Sequence, residues 1–242
     1  MIQLIKGECI EQMKLIPSGS IDAIITDPPY GTTACKWDSV IPFEPMWQQL
    51  NRIIKPNGAI VLFGSEPFSS ALRMSNIKNY RYDWVWDKRY ATNYPQAKRQ
   101  PMKRHENILV FGVKSPVYYP QMIERDKPIK KGKNNGSNIF NLGTLNREDY
   151  NGKVYTHQYP TAIQLFPTRK EGKNVHPTQK PILLMEYLIK TYTNENETVL
   201  DFTMGSGSTG VAAKNLNRSF IGIELDDKYF EIAENRINNL NK

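Results

Sequence analysis

The 242-residue sequence has little of the residue types that define several protein classes. Its two cysteines, Cys9 and Cys35, are too few for a disulfide framework and lack the spacing of zinc ligands, so we predict no metal site and a reducing, cytoplasmic location. No apolar run approaches the roughly 18–20 residues that cross a membrane. The start of the chain is too short and too soon polar for a signal peptide. No Gly-Lys-Ser/Thr triplet is present, which excludes a phosphate-cradling P-loop.

Positive charge is abundant but unevenly placed. The chain has 32 Lys and Arg against 24 Asp and Glu, a formal net charge of +8. Residues 81–175 hold 18 basic and 8 acidic residues, an excess of +10, while the remainder holds 14 and 16, a balance of −2. Because Tyr and Trp are interleaved with these charges, the basic stretch predicts a polyanionic partner, with an ordinary solvated surface as the alternative.

Short apolar runs alternate with segments of helical spacing along most of the chain. Strands are predicted over residues 2–5, 20–26, 59–63, 82–86, 107–111, 198–202 and 220–224, with helices over 10–15, 43–54, 67–76, 181–192, 208–216 and from 227. This alternation predicts an α/β fold with a mostly parallel, seven-stranded sheet.

The composition of the sequence changes between residues 114 and 174: Lys, Asn, Gly, Tyr and Pro predominate, and the apolar periodicity fades. So long a stretch without a predicted element is usually functional. We therefore predict one domain formed by residues 1–113 and 176–242, interrupted by an inserted region over 114–175.

A glycine-rich turn lies between a predicted strand and a predicted helix, in the segment Asp201-Phe202-Thr203-Met204-Gly205-Ser206-Gly207-Ser208. Gly205 and Gly207 allow the backbone to approach a ligand closely. Glu224 ends the next strand, where an acid can accept hydrogen bonds from both ribose hydroxyls of a nucleoside cofactor. The pattern fits a dinucleotide or S-adenosylmethionine, and a turn needed only for packing is the plainer alternative.

A second motif, Asp27-Pro28-Pro29-Tyr30, follows a predicted buried strand. The two prolines make a rigid turn without main-chain donors, so that carbonyl oxygens and the Asp27 carboxylate remain as acceptors. Such a box suits a planar amino group, with Tyr30 stacking on the ring that bears it. A strand-terminating Pro-Pro turn is the alternative.

Taken together, these motifs resemble the β-class amino-DNA methyltransferases. Asp27–Tyr30 comes first, the segment His176-Pro177-Thr178-Gln179-Lys180-Pro181 follows, and Asp201–Ser208 and Glu224 come last. Trp86-Asp87-Lys88 and His105-Glu106-Asn107 also look like signatures of that family. The resemblance covers residues 1–112 and 176–240, and it implies a Rossmann-like methyltransferase fold with a target-recognition insert over 114–175.

The resemblance assigns roles to individual residues. It implies that S-adenosylmethionine is the cofactor, with Glu224 on its ribose, Thr178 and Lys180 on its methionine carboxylate, and Glu8 and Cys9 near its adenine. The full cofactor set is Glu8, Cys9, Asp27, Thr178, Lys180, Asp201, Phe202, Gly205, Ser206, Gly207 and Glu224. The catalytic set is Asp27, Pro28, Pro29 and Tyr30.

The implied reaction is methylation of the exocyclic N6 of adenine in double-stranded DNA, after the base has been flipped out of the stack. Asp at position 27 is similar to adenine enzymes, whereas Ser there is more typical of cytosine-N4 enzymes, which remain the alternative. A methyltransferase for RNA or protein amides is less favoured, because those enzymes usually carry Asn before Pro-Pro-Tyr. A catalytically dead nucleic-acid-binding module would require decay of these motifs, and their sequences are intact.

Basic residues near the presumed base pocket and in the insert are candidate DNA contacts. They are Lys98, Arg99, Lys103, Arg104, Lys130, Lys131, Lys133, Arg169 and Lys170. The resemblance also makes a second copy of the chain and a cognate restriction endonuclease candidate partners.

Overall fold

The computed structural model of the chain describes residues 1–32, 38–130, 154–168 and 179–239. The chain divides into a larger unit, residues 1–119 with 162–242, and a smaller unit, residues 120–161. In chain order the elements are β1 (Ile2–Lys6), α1 (Cys9–Lys14), β2 (Ile21–Thr26), α2 (Phe43–Ile53), β3 (Ile54–Gly64), α3 (Phe68–Ser75), β4 (Tyr80–Thr92), a 3₁₀ turn (Tyr94–Gln96), β5 (Lys103–Phe111), β6 (Ile123–Lys130), β7 (Val154–Gln158), β8 (Ile163–Leu165), α4 (Ile182–Tyr192), β9 (Thr198–Asp201), α5 (Ser208–Asn215), β10 (Ser219–Glu224) and α6 (Asp227–Asn238).

The larger unit contains one sheet with the strand order β1-β10-β9-β2-β3-β5-β4-β8. Only β5 runs antiparallel to its neighbours, which confirms the α/β fold with a mainly parallel sheet. All seven predicted strands are present. The sheet has an eighth strand because β8, which lies inside the predicted insert, pairs in parallel with β4 through Val85 and Ile163.

Alternation along the central strands places apolar side chains on both faces of this sheet. In β2, Ala23 and Ile25 pack on the face covered by α4, α5 and α6, whereas Ile24 packs on the face covered by α1, α2 and α3. Strands buried on both faces are continuously apolar, as parallel strands in α/β proteins are. Two packed layers of helices therefore hold the strand ends in fixed positions.

The chain leaves β2 and β9 in opposite directions along the sheet. After β2 it crosses by α2 to β3, and after β9 it crosses by α5 to β10, on the other side. Because β2 and β9 are parallel neighbours, a crevice opens beyond their carboxyl ends. Asp27 and Asp201 stand at that edge.

The smaller unit contains an antiparallel pair, β6 and β7, with Ile123 opposite Gln158 and Lys130 opposite Val154. The sequence shows no apolar periodicity there, since most of the side chains on both strands are exposed. Of the helices in the described ranges, none combines the length and hydropathy needed to cross a bilayer.

Candidate active site

A cavity of about 920 Å³ lies at the crevice between β2 and β9. It brings together the two motifs that the sequence separates by more than 170 residues. Its walls include these predicted residues: Glu8, Cys9, Asp27, Pro28, Pro29, Tyr30, Lys180, Asp201, Phe202, Gly205, Ser206 and Glu224. The volume lies within the range of ordinary ligand and cofactor pockets.

Glu224 faces the glycine-rich turn from the end of β10. One carboxylate oxygen accepts a hydrogen bond from the amide of Gly205 at 2.8 Å, and the other accepts from the amides of Leu225 and Asp226, both at 2.9 Å. Gly205 and Gly207 adopt positive φ angles of 52° and 81°, which a side chain would strain. The turn is thus shaped by its glycines and tied to Glu224, whose remaining lone pairs can accept hydroxyl hydrogens.

Neighbouring groups of the protein hold the carboxylate of Asp201, for which the sequence predicted a contact with the cofactor. Its carboxylate accepts hydrogen bonds from the hydroxyls of Thr26 and Thr209, each at 2.5 Å, and from the Thr203 amide at 3.2 Å. Burial raises the pKa of Asp201 to about 6, although these donors act in the opposite direction. Asp201 therefore fixes the shape of the turn, and a direct contact with a cofactor stays a prediction.

Glu8 and Cys9 form the wall where α1 begins. Glu8 caps this helix by accepting hydrogen bonds from the amides of Ile10 and Glu11, at 3.0 and 2.9 Å. Burial raises the pKa of the Cys9 thiol to about 12, so the side chain presents a neutral apolar surface to the cavity. Cys9 can therefore contribute an apolar contact to a ligand in the cavity.

The start of α5 supplies an unused polar group to the same cavity. The Ser208 hydroxyl is buried, lines the cavity and has no hydrogen-bond partner within the described ranges. A buried hydroxyl without a partner is costly, so a polar ligand beside it would be favoured. With Glu224, this end of the cavity fits a ligand that carries hydroxyl and charged groups.

Asp27 and Tyr30 interact directly at the other end of the cavity. The Tyr30 hydroxyl donates a hydrogen bond to Asp27 Oδ1 at 2.5 Å, and the Tyr30 ring stacks on Phe68 with centroids 5.0 Å apart. Burial, followed by the nearby charge of Asp27, raises the pKa of Tyr30 well above its usual value, so the phenol remains a donor. Stacking of Tyr30 on a base stays a prediction.

Lys180 lines the cavity and contacts two carboxylates of the protein itself. Its ammonium group forms an ion pair with Asp27 Oδ2 and lies 3.5 Å from Glu106 Oε2. Burial alone would lower the pKa of Lys180, but the two carboxylates outweigh burial and raise it. Lys180 therefore lies beside Asp27, and its contact with the methionine carboxylate of a cofactor stays a prediction.

Several residues without a predicted role complete the site. Lys88 donates to Glu106 Oε1 at 3.0 Å, and Asp38 accepts from the amides of Gly31 and Thr32, each at 2.9 Å. Thr203 donates to the Asp27 carbonyl at 3.1 Å and thus links the two motifs. The motif resemblance included Lys88 and Glu106 but assigned them no function, since it could not show that they reach Lys180.

The predicted DNA contacts fall into four groups. Lys98 and Arg99 are exposed on the β4–β5 loop, at the same sheet edge as Asp27. Lys103 reaches the Glu66 carbonyl at 3.4 Å, and Arg104 forms an ion pair with Asp87. Lys130 is exposed in the smaller unit. Four more DNA-contact candidates lie outside the described residues: Lys131, Lys133, Arg169 and Lys170. The cofactor-binding candidate Thr178 also lies outside them.

Similar proteins point to one class of enzyme. Over 248 residues the chain is 30% identical to the type II methyltransferase M.HpaI of Haemophilus parainfluenzae, covering 97% of this chain and 74% of the relative. It is 29% identical to the type II methyltransferase M1.MboII of Moraxella bovis, covering 96% and 95%.

Solved structures agree with these relatives. The M1.HpyAVI–SAM complex matches with a TM-score of 0.66 at 29% identity, over 98% of this chain and 100% of the other. The cytosine-N4-specific PvuII DNA methyltransferase matches with a TM-score of 0.73 over 100% of this chain and 88% of the other, but at 15% identity it supports the fold alone.

The family model for DNA methylases of the N6/N4 type matches residues 21–235. This range includes both motifs and the strands that carry them. The chain belongs to the N6/N4 DNA methylase family.

Proposed function

We propose that the protein is a site-specific DNA methyltransferase that transfers a methyl group from S-adenosylmethionine to the N6 amino group of adenine in double-stranded DNA. The observation that carries this proposal is one cavity with two chemically different ends. Glu224 and the glycine turn form one end, and the Asp27 carboxylate and the Tyr30 ring form the other.

The first end has the groups that this cofactor needs. Glu224 can accept the ribose hydroxyls, Cys9 can pack near the adenine, and Ser208 offers an unpaired hydroxyl to a polar group of the ligand. When bound, S-adenosylmethionine supplies an electrophilic methyl group on a sulfonium. We infer that these residues hold and orient it.

The second end suits an amino group that must become nucleophilic. Asp27 accepts hydrogen bonds, and an amino group that donates to it loses conjugation with its ring and gains lone-pair character on nitrogen. The Pro28 and Pro29 nitrogens offer no competing donors. Positioning and electrostatics supply most of the rate in this scheme, without a covalent enzyme intermediate.

We infer that DNA lies across the sheet edge that carries Asp27. The β4–β5 loop presents Lys98 and Arg99 there, and phosphate contacts by such residues position a duplex without reading its sequence. A base inside a duplex cannot reach Asp27, so the enzyme must flip it out of the stack.

The catalytic domain is proposed to comprise residues 1–113 and 176–242, with target recognition in 114–175. Two observations support the second assignment: the side chains of β6 and β7 are mostly exposed, and the sequence of the region is rich in Lys and Arg. We expect the protein to act in the cytoplasm, with a second copy of itself or a cognate restriction endonuclease as candidate partners.

Adenine is proposed over cytosine because Asp, rather than Ser, begins the catalytic motif. Both bases present an exocyclic amino group of similar geometry, so cytosine N4 is the second candidate. The family includes both activities, and the relatives are type II methyltransferases.

The test is to express the chain in a methylation-deficient host and to identify modified nucleosides in its DNA by mass spectrometry. N6-methyladenine at a recurring sequence is the expected result, with a host that expresses Asp27→Ala as the matched control. N4-methylcytosine would transfer the proposal to cytosine. Unmodified DNA from a host containing folded, cofactor-binding protein would contradict DNA methylation altogether.

A further inference from the structure

Four charged side chains of alternating sign form a row behind the catalytic motif. Lys88 contacts Glu106 at 3.0 Å, Glu106 lies 3.5 Å from Lys180, and Lys180 is paired with Asp27. They come from β4, β5, the segment before α4 and the turn after β2. We call this set the charge row: Lys88, Glu106, Lys180 and Asp27.

The charge row is more buried than stability alone would favour. The side chains of Lys88, Glu106 and Lys180 are 11%, 16% and 8% exposed. Removing paired charges from water costs about as much as their attraction returns, so apolar side chains would stabilise the fold at least as well. The row ends at Asp27, which keeps 23% exposure and lines the cavity. This geometry indicates that the row acts on Asp27.

The two inner members of the row influence Asp27 in opposite directions. Burial raises the pKa of Asp27 above its usual value, the ammonium of Lys180 opposes this effect, and the carboxylate of Glu106 adds to it. Two more groups face Asp27: the Tyr30 hydroxyl, which lowers its pKa by donating to Oδ1, and the Asp201 carboxylate, which carries the same charge. Glu106 itself is kept ionised, because Lys180 and Lys88 together outweigh its burial and lower its pKa. Glu106 thus moderates how strongly Lys180 acts on Asp27.

We propose that Lys180 and Glu106 are positioning residues that set the charge and orientation of Asp27 for methyl transfer. Lys180 keeps the Asp27 carboxylate ionised and holds its Oδ2. The negative charge of Glu106 partly offsets the positive charge of Lys180, so that Asp27 remains basic enough to accept a proton. The inference rests on the proposed function, because it concerns the same amino group and the same acid.

The step balances as follows. The nitrogen lone pair forms the bond to the methyl carbon, and the electron pair of the broken carbon–sulfur bond stays on sulfur. The nitrogen then carries one proton too many, which passes to the Asp27 carboxylate and from there to water in the cavity. An Asp27 held too acidic by Lys180 would accept this proton poorly, and an Asp27 already protonated would not accept it at all.

The test uses the pH dependence of kcat in two variants. Lys180→Met should move the acidic limb of the profile to higher pH, by about one pH unit or more, since an opposite charge at this distance stabilises a carboxylate by that amount. Glu106→Gln should move the same limb to lower pH. Lys180→Arg, which keeps the charge, should restore most of the wild-type profile.

A purely structural role predicts another result. Both variants would then lower kcat at every pH without moving the limb, or would move it in the same direction, and either outcome overturns the inference. The control is Lys55→Met, which removes a more exposed Lys–Asp pair, with Asp22 at the opposite end of β2, and should leave the profile unchanged. Should Lys180→Met fail to fold, Glu106→Gln alone decides, because an upward shift or no shift contradicts the proposal.

A second measurement separates this inference from the proposed function. The Asp27 carboxyl carbon can be titrated by NMR in the free protein, with Asp27→Asn to assign its signal. The pKa should rise in Lys180→Met and fall in Glu106→Gln. Opposite pKa shifts in a protein that does not methylate DNA would contradict the proposed substrate but support the role of the charge row. Unchanged titrations in an active enzyme would contradict the role of the charge row alone.

Discussion

The two ends of the cavity hold their carboxylates by different means. At the end proposed for the cofactor, the donors to Asp201 and Glu224 within the described ranges are neutral hydroxyl and amide groups. At the catalytic end, Asp27 is held by a phenol and by the charged Lys180. Hydrogen bonds from neutral donors favour the ionised carboxylate, as a lysine does, but the lysine also adds a full positive charge beside Asp27. The difference is that an ion pair holds the Asp27 carboxylate, whereas hydrogen bonds from neutral groups hold those of Asp201 and Glu224.

The largest expected effect comes from removing the Asp27 carboxylate. Asp27→Ala should lower the rate of methyl transfer by about 10²–10⁴-fold, because the amino group loses both its hydrogen-bond acceptor and the group that takes its proton. DNA affinity should remain near wild type, since the basic residues are untouched. Single-turnover transfer and DNA binding should be measured on the same preparation. Near-normal turnover would show that Asp27 does not activate the amino group.

A neutral-donor site should show a different kind of dependence on pH. Asp201 has a pKa of about 6 in the folded protein, above the ordinary value of 3.8, so the folded state binds its proton more tightly than the unfolded state. Stability from this group is therefore present below about pH 4 and is lost as the pH rises through 6. The loss is on the order of 3 kcal/mol.

This loss is checked by comparing wild type with Asp201→Asn, which cannot titrate. Denaturant unfolding at pH 4 and pH 7 should show a larger decrease for wild type than for the variant. Equal decreases would mean that the threonine hydroxyls stabilise the ionised carboxylate fully.

Glu224 tests the cofactor end through affinity. Glu224→Ala should weaken S-adenosylmethionine binding by about 1.5–3 kcal/mol, the worth of hydrogen bonds to a charged acceptor. Calorimetry on the free protein measures this, with the exposed Glu195→Ala as control. An unchanged dissociation constant would place the ribose elsewhere.

The smallest effect is expected outside the cavity, on the β4–β5 loop. Lys98→Ala with Arg99→Ala should weaken DNA binding equally for all sequences and reduce the slope of affinity against salt by about 1–2. The control is Lys14→Ala with Lys78→Ala, two exposed lysines that lie away from this loop. Equal changes in both double variants would indicate general charge attraction rather than contact at the loop.

Local patterns in the sequence predicted most of the fold. The seven predicted strands all form. Those at the centre of the sheet, such as β2 and β3, are short apolar runs buried on both faces, whereas residues 82–86 of β4 show the alternation of a strand with one buried face. The eighth strand, β8, was not predicted because a three-residue edge strand with exposed Ile163 and Leu165 has no apolar pattern. Its place depends on β4 being available beside it.

The candidate site was predicted from motifs, and the cavity brings most of them together. Asp27, Tyr30, Gly205 and Glu224 line one cavity, as the motif order implied. The ion pairs of Lys180 were not predicted, because a motif specifies a residue type but not the charges that surround it after folding. The threonines that hold Asp201 were missed for the same reason. The predicted contact of Lys180 with the cofactor stays a prediction.

The sequence by itself determined the family, the strand–helix alternation and the two chemical motifs, because these depend on residue type and spacing along the chain. Only the tertiary structure decided which charges meet. Lys88, Glu106, Lys180 and Asp27 lie on four separate segments, up to 153 residues apart, and converge where β2, β4 and β5 share one edge of the sheet. Ionisation inside a protein depends on neighbours within a few ångströms, and folding alone sets those distances.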